Sequence, residues 1–383
     1  MAEPRVEISR RRARQLAVMG QRLDAPRPRS IDEVLGSLGE IQMDPTSVVA
    51  RTEHLVLFSR LGARFRVAQL ERRMWADRAM FEYWAHIVPM RDLPLHRISM
   101  KRYPHGPWKR HQYVRDWLVA NDAFVRYALR ELRLRGPLRT RDFENRAADG
   151  WETGGWNDEG QNAAMLLDIL WSQGKVMIVG RDGQQRLWDL ASRWLPKVPA
   201  PSRAAMAADL VERQIRARGI ARLDRLGSLF DGAMPGREDA VARLTRAGVL
   251  VPLRVPSYPG RWYTHRDLLD RSFRGRTVAL SPFDDLISDR TRTERLFDMY
   301  YRIGIYVPKA ERWGYFVLPV LRDDRLVGRF DPALDRADNV LRINAWEMQA
   351  DTSARDRDAV REAIDELARW LRVDRVEVPR ARL

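Results

Sequence analysis

Residues 174–190, GKVMIVGRDGQQRLWDL, hold the pattern that decides the fold class. Two runs that favour strands, 175–179 and 185–190, flank the turn Arg181-Asp182-Gly183, and Asp-Gly between such runs is a strong hairpin signal. Upstream, an apolar stripe at helical spacing predicts a long helix that Asn157 caps and Gly174 ends. A helix that leads into a hairpin is the C-terminal half of a winged helix.

The residues before this stretch complete the module. The apolar spacing in 113–134 predicts a helix that Gly136-Pro137 breaks, and 140–145 predicts a short second helix. The element order from 113 to 196 is therefore that of a winged helix, and the Pro-rich run 196–201 predicts a stiff boundary after it.

The same order recurs on both sides of this segment. In 1–112 we predict a helix over 10–23, a helix capped by Ser30 and ended by Gly39, and a strand from Ile41. In 197–275 we predict helices over 207–218, 221–230 and 238–246, then strands over 249–255 and 261–263. The matching glycines are offset by 83 residues (Gly136 and Gly219) and 74 residues (Gly174 and Gly248), so this is a diverged duplication rather than a solenoid.

Strands dominate the rest of the chain, 276–383. They are predicted over 277–280, 303–307, 315–321, 325–330 and 340–346, with a turn at Asp323-Asp324 and an amphipathic helix over 357–371. The predicted fold is α+β: tandem winged-helix modules in 1–112, 113–196 and 197–275, and a β-barrel-like subdomain with a closing helix in 276–383. Three such modules in one chain suggest a monomer curved around one duplex.

The composition points to a polyanionic partner. The 383 residues carry 68 Lys or Arg against 52 Asp or Glu, a net charge of +16, and double-stranded DNA is the simplest partner for that excess. No apolar run is long enough for a transmembrane helix, and the first residues lack a secretory signal, so we expect a cytoplasmic protein without a membrane partner. The absence of Cys excludes thiolate ligands, and no metal or cofactor is expected.

The segment Ile41-Gln42-Met43-Asp44-Pro45 is the candidate catalytic strand. Alternation along a strand places Gln42 and Asp44 on one face, about 6–7 Å apart, and the two apolar residues on the other. An amide and a carboxylate held this way can orient and polarise one water molecule, while Pro45 ends the strand. The alternative is an edge strand whose polar face meets solvent.

Residues 41–62, which begin with Gln42-Met43-Asp44, resemble the core signature of the AlkZ/YcaQ family of bacterial winged-helix DNA glycosylases, in the YcaQ-type branch that carries a Gln-apolar-Asp motif. Four further blocks resemble family blocks: YWAH at 83–86, LSPFD at 280–284, RTERLF at 292–297 and GYFVLP at 314–319. The similarity covers most of the chain.

The resemblance implies a monofunctional glycosylase that excises alkylated purines, such as N7-alkylguanine adducts and interstrand crosslinks, in base excision and crosslink repair. It also implies tandem winged helices arranged as a C-shaped basic surface. A cationic alkylated base needs no strong general acid, so a carboxylate at Asp44 and an amide at Gln42 suffice to supply and aim the water. The rival is a non-catalytic winged-helix regulator, which usually acts as a dimer on two half-sites.

Several residues outside the segment 41–45 are further candidates for a role in the site. His54 either supports the catalytic cleft or is structural. Asp284, Asp285 and Asp289 suggest an ion-pair network with neighbouring arginines more than a metal cluster. The predicted DNA contacts are Arg51 and the residues on the two hairpins, with a solvated surface as the alternative; they are Arg181, Arg186, Arg254, Tyr258, Arg261 and Trp262.

Overall fold

A computed structural model describes residues 6–151, 161–199, 202–226, 236–256, 258–304 and 307–378. Its contacts group the chain into two compact units. The first comprises the described residues of 1–70, 203–228 and 232–383, and the second those of 71–202. This division is coarser than the four segments predicted from the sequence, which stay predictions.

The fold is mixed α+β. The helices of the described residues are α1 Arg10–Gly20, α2 Ile31–Leu38, α3 Thr52–Leu61, α4 Val67–Glu71, α5 Leu93–Arg102, α6 Lys109–Ala120, α7 Asp122–Arg135, α8 Gln161–Ser172, α9 Ala191–Trp194, α10 Arg203–Arg218, α11 Arg237–Arg246, α12 Arg266–Leu269, α13 Asp285–Ser288, α14 Arg290–Phe297 and α15 Ala354–Leu371. The strands are β1 Val6–Glu7, β2 Ile41–Gln42, β3 Met80–Tyr83, β4 His86–Pro89, β5 Leu138–Arg139, β6 Val176–Asp182, β7 Gln185–Leu190, β8 Ala221–Arg222, β9 Leu250–Arg254, β10 Trp262–His265, β11 Thr277–Ala279, β12 Leu318–Arg322, β13 Arg325–Asp335, β14 Val340–Met348 and β15 Arg375–Glu377.

The hairpin predicted in the second unit is confirmed, with its turn one residue later than expected. β6 and β7 pair antiparallel from Val176–Leu190 to Asp182–Gln185, so Gly183 and Gln184 form the turn. Gly183 has φ +61°, a conformation that suits glycine in such a turn. The short strand β5 pairs with β7 and completes the order β5-β7-β6.

The single helix predicted over 113–134 is wrong, because Asn121 divides it into α6 and α7. Asn121 is 1% exposed and has φ −106°. Its amide nitrogen donates to the carbonyls of Trp117 and Asp149, and its amide oxygen accepts from the N–H of Ala148. These side-chain bonds tie the helix junction to a distant loop. The predicted cap Asn157 lies outside the described residues.

The first unit contains a sheet with a related plan, β1-β9-β10-β8. As in the second unit, a short strand after a helix pairs with the second strand of a hairpin: β8 follows α10 and pairs antiparallel with β10. The helix predicted to begin at Ala221 is therefore wrong at its start, where the chain forms β8 and a 3₁₀ turn over Leu223–Arg225. The rest of that prediction lies outside the described residues. The assignment of both arrays as winged helices stays a prediction.

A curled five-stranded sheet, β11-β12-β13-β14-β15, forms the C-terminal part of the first unit. Bulges interrupt its ladders beside Val320 and Asp331, and α15 packs on it through apolar residues that include Val360, Ile364 and Leu367. The strand predicted over 303–307 is wrong at its start, since Ile303 and Gly304 are not in a strand.

The first unit is held together by a close approach between α1 and the end of α10. A Cβ atom on Gly20 would lie 2.3 Å from the nitrogen of Gly219, and one on Gly219 would lie 1.8 Å from the carbonyl oxygen of Leu16. Gly219 also has φ +69°. Only glycine satisfies both the conformation and the contact at Gly219. Because α10 also packs against α2, this contact helps to hold the helix that precedes the candidate catalytic strand.

Candidate active site

The chain around Gln42 and Asp44 alternates as predicted. Ile41 and Met43 are buried, at 2% and 8% exposed, whereas Gln42 and Asp44 are half-buried. The regular strand β2 ends at Gln42, so Asp44 lies just beyond it and before Pro45. The apolar pair anchors the segment, and the polar pair stays accessible to a small ligand such as water.

The Asp44 carboxylate is oriented by its own loop. Its Oδ1 atom accepts a hydrogen bond of 2.9 Å from the backbone N–H of Thr46, which is an Asx-type turn. Among the described residues no hydrogen bond reaches its Oδ2 atom or the amide of Gln42. The site therefore presents a fixed carboxylate oxygen and an amide that have hydrogen-bonding capacity to spare.

A buried carboxylate that the sequence analysis missed lies at the start of α3, the helix that packs against β2. Glu53 is 1% exposed, and its Oε1 atom is 2.5 Å from the Nε atom of Arg51. The Thr52 hydroxyl lies 3.4 Å from its Oε2 atom. The signal was present in the sequence, because an acidic residue just before an apolar helical run is favoured by the helix dipole.

Two predicted site residues, Arg51 and His54, lie close to Glu53 in the sequence. Arg51 is 20% exposed at its side chain and directs its Nε atom at Glu53, so only part of its guanidinium is available to a phosphate. His54 is half-buried, and its ring centroid lies 6.4 Å from that of Phe65. Its proposed support of the cleft stays a prediction.

A buried ion pair fixes the other end of α3. Arg60 and Asp284 are both fully buried, and the Nη2 atom of Arg60 donates to Asp284 Oδ1 at 3.0 Å. Arg60 also donates to the backbone and side-chain oxygens of Gln21, each at 3.0 Å. The predicted ion-pair role of Asp284 is thus observed with a partner 224 residues away rather than with its sequence neighbours.

The acidic residues near Asp284 serve as helix caps. The side chains of Asp284 and Asp289 accept from backbone N–H groups at the starts of α13 and α14. Among the described residues no group of three His, Asp or Glu could hold a metal ion. None of the described helices has the length and apolar character needed to cross a membrane.

The arginines on the β6–β7 hairpin are engaged within the second unit. Arg181 pairs with Glu82, which is 1% exposed, and Arg186 lies 3.6 Å from Glu82 and 3.1 Å from Asp168. Sequence reasoning treated these arginines as free surface cations and did not anticipate Glu82, which lies on β3. Their contact with DNA stays a prediction, and any such contact would have to compete with the buried carboxylate.

The β9–β10 hairpin of the first unit carries exposed arginines and buried aromatic rings. Arg254 and Arg261 are exposed, with surface ion pairs to Glu7 and Glu238 that contribute little. Tyr258 and Trp262 are 3% and 2% exposed. Their direct insertion into a DNA groove does not agree with this burial.

The two rings pack against each other instead. Their centroids lie 4.5 Å apart, and the Trp262 indole donates to the Tyr258 carbonyl at 2.8 Å. Burial raises the pKa of the Tyr258 hydroxyl. Both residues therefore belong to the core beneath the hairpin, whereas Arg261, the residue just before β10, is exposed.

Comparison with known proteins defines the class of this chain. A model of the family described as DNA glycosylase AlkZ-like matches residues 35–370. Among solved structures, the DNA glycosylase AlkZ of Streptomyces sahachiroi is similar with a TM-score of 0.62 at 17% identity, over 98% of this chain and all of that one. That likeness shows a shared fold. The class is that of a DNA repair glycosylase, and the chain belongs to the AlkZ-like family.

Proposed function

We propose that this protein is a monofunctional DNA glycosylase that hydrolyses the N-glycosidic bond of alkylated purines in double-stranded DNA. The observation that carries the proposal is the Gln42–Asp44 pair, which lies within the residues that the family model matches. The segment anchored by Ile41 and Met43 presents a carboxylate oxygen and an amide that have hydrogen-bonding capacity to spare.

The chemistry follows from the charge of the substrate. An N7- or N3-alkylated purine is cationic, so when the C1′–N bond breaks its electron pair neutralises the departing base. The sugar develops oxocarbenium character, which the negative charge of Asp44 stabilises. Asp44 also polarises a water whose oxygen bonds to C1′, and the released proton passes to the carboxylate or to solvent. Gln42 orients that water without adding charge.

This chemistry uses groups that the site already has. No lysine lies within residues 41–62, so this segment offers no amine for a Schiff-base lyase step. We expect N7-alkylguanine to be the main substrate, and interstrand crosslinks to be included. A crosslinked base stays tethered to the opposite strand, so it suits an open site better than a closed base-flipping pocket.

Base release from a defined lesion tests the proposal. The full chain is incubated with a duplex carrying one N7-methylguanine, and alkali then cuts at each abasic site. We expect a single cut at the lesion and none in an undamaged duplex. A protein that binds both duplexes alike, as a dimer on palindromic sites, and releases no base would instead be the non-catalytic regulator.

A further inference from the structure

A strongly basic segment of the second unit is left unused by the proposed chemistry. Residues 93–115 contain six Lys or Arg and no Asp or Glu. Their centre is the sequence KRYPHGPWKRH at 101–111, which we call the basic–aromatic loop. It holds two of the five lysines of the chain, although Arg is otherwise the dominant cation. Cations interleaved with aromatic residues are a pattern that suits nucleic acid.

The structure places the cations of this loop in solvent. Helix α5 ends at Arg102 and α6 begins at Lys109, so the loop spans a turn between two helices. Lys101, Lys109 and Arg110 are exposed, and no carboxylate among the described residues pairs with them. Within the described part of the chain their charge is therefore available to a polyanion, unlike the charge of Arg181 and Arg186.

The start of α6 is electrostatically unfavourable without an anion. Its first turn contains Lys109, Arg110 and His111 and no acidic residue. Because the N-terminal end of a helix carries partial positive charge, cations are disfavoured there and anions are favoured. A bound phosphate would remove this conflict.

Two exposed indoles accompany the cations. Trp108 is 59% exposed within the loop, and Trp84 is 41% exposed at the turn between β3 and β4. The Trp84 ring contacts Tyr103 edge-on with centroids 6.0 Å apart, and Tyr103 in turn contacts His111 at 5.5 Å. These ring contacts join the hairpin turn to the basic–aromatic loop as one surface.

The turn that carries Trp84 is strained. Trp84 and Ala85 have φ values of +48° and +56°, where tight hairpin turns normally use Asn-Gly. His86 Nδ1 donates to the Trp84 carbonyl at 2.7 Å and holds the turn. Strain of this kind persists where the surrounding structure fixes it, and it is common at binding sites. In this hairpin the held turn fixes the position of the exposed Trp84 indole.

We propose that the basic–aromatic loop and Trp84 bind an unpaired DNA strand. Lys101, Lys109 and Arg110 hold phosphates, and the indoles of Trp84 and Trp108 stack on bases. Paired duplex hides the base faces, so rings offered for stacking favour nucleotides that are unpaired. The proposal requires only that DNA is the partner, and it does not depend on the chemistry at Asp44.

Binding of an unmodified, fluorescently labelled oligothymidylate to the full chain tests this surface. Trp108→Ala should weaken single-strand binding between about fivefold and about a hundredfold, because stacking is lost, and Trp108→Phe should restore much of it. Lys101→Gln with Lys109→Gln should lower the steepness of the log K against log salt plot by about 1.4. Trp108→Ala should weaken binding to undamaged duplex DNA less than it weakens binding to oligothymidylate.

Matched variants elsewhere serve as controls. Trp313→Ala removes a ring that is 37% exposed but already covered by the Arg329 guanidinium at 4.4 Å, and Lys197→Gln removes an exposed lysine of the second unit. Neither control should change single-strand binding. The proposal is overturned if Trp108→Ala binds oligothymidylate like wild type. It is also overturned if the loop variants bind oligothymidylate like wild type but lose binding to vesicles that contain anionic phosphatidylserine. Because no step involves excision, the result is independent of glycosylase activity.

Discussion

At the scale of single residues, the proposed mechanism assigns to Asp44 and Gln42 the two tasks that a cationic leaving base requires. A carboxylate supplies negative charge beside the developing oxocarbenium, and an amide fixes a water molecule without adding charge. The Asx-type bond from Thr46 occupies one Asp44 oxygen and holds the other in place. This division explains why the two positions should differ in how strongly they respond to substitution.

Gln42→Ala tests the positioning role. We expect single-turnover excision of N7-methylguanine to slow by roughly tenfold to a hundredfold, less than for loss of the charge at Asp44, since a water without its second partner is still polarised. The dissociation constant for the same duplex should stay unchanged. A variant that loses DNA binding but retains its rate at saturation would make Gln42 a DNA contact.

Trp262 is predicted from the sequence to contact DNA, but in the structure it is a core residue. Because its ring is 2% exposed and packs on Tyr258, Trp262→Ala should destabilise the protein by about 3–5 kcal/mol. Urea unfolding of this variant and of Trp108→Ala, whose ring is mostly exposed, measures the difference. If the two variants have the same free energy of unfolding, Trp262 is not a core residue, and its predicted role as a DNA contact stands again.

At the scale of elements, α3 is positioned from both ends. Arg51 and Glu53 pair at its start, and the fully buried Arg60–Asp284 pair holds its last turn. Breaking a buried pair by removing one partner costs far more than a surface pair contributes. The helix that packs against β2, the candidate catalytic strand, is therefore held by ionic groups within the first unit.

The capping box at the start of α15 gives a pH-dependent contribution to stability. Asp356 is 2% exposed; burial raises its pKa, but bonds from the Ser353 N–H and hydroxyl and from Arg322 outweigh burial and leave the pKa below its ordinary value. A depressed carboxyl pKa adds stability above the unfolded-state pKa, which is lost as pH falls through the folded-state pKa.

Asp356→Asn should therefore lower the melting temperature at pH 7 and narrow its gap to wild type as pH falls below about 4. Thermal unfolding followed from pH 7 to pH 3 measures both effects. A gap that is constant across this range would show that Asp356 contributes through packing and not through its charge. Asp358→Asn, an exposed change on the same helix, is the control.

Local patterns predicted many of the elements but not the contacts between residues far apart in sequence. The β6–β7 hairpin, with its turn one residue later than predicted, and the Ser30 and Gly39 helix boundaries follow from short-range chemistry, and the structure has them. The break at Asn121 depends on the carbonyl of Asp149, and the pairs Arg60–Asp284 and Arg181–Glu82 join residues far apart in sequence. Such contacts exist only after folding, so no local pattern contains them. Alternation predicted which side chains of residues 41–44 are buried, but it did not predict the buried Glu53 at the start of α3.

At the scale of the whole molecule, the charge of +16 must act through cations that are not held by buried carboxylates. With roughly five to eight phosphates contacted, log K for a duplex should fall against log salt with a slope of about −4 to −7. Arg254→Gln with Arg261→Gln should make that slope shallower by about 1.8, since both side chains are exposed.

Titrations between 50 and 300 mM salt provide these slopes. The half-saturating protein concentration should rise in the double variant while its single-turnover plateau rate is unchanged, because the predicted role of these arginines is to bind DNA and not to activate water. A slope that is flat in wild type would show that the positive charge serves a partner other than duplex DNA.

The most direct test of the catalytic assignment compares wild type with Asp44→Asn on one duplex carrying a single N7-methylguanine, under single-turnover conditions with protein saturating. The substitution keeps shape and removes charge, so we predict that the excision rate falls roughly 10²- to 10⁴-fold while the dissociation constant is unchanged. Asp358→Asn should excise at the wild-type rate. An Asp44→Asn protein that releases the base as fast as wild type would contradict the account.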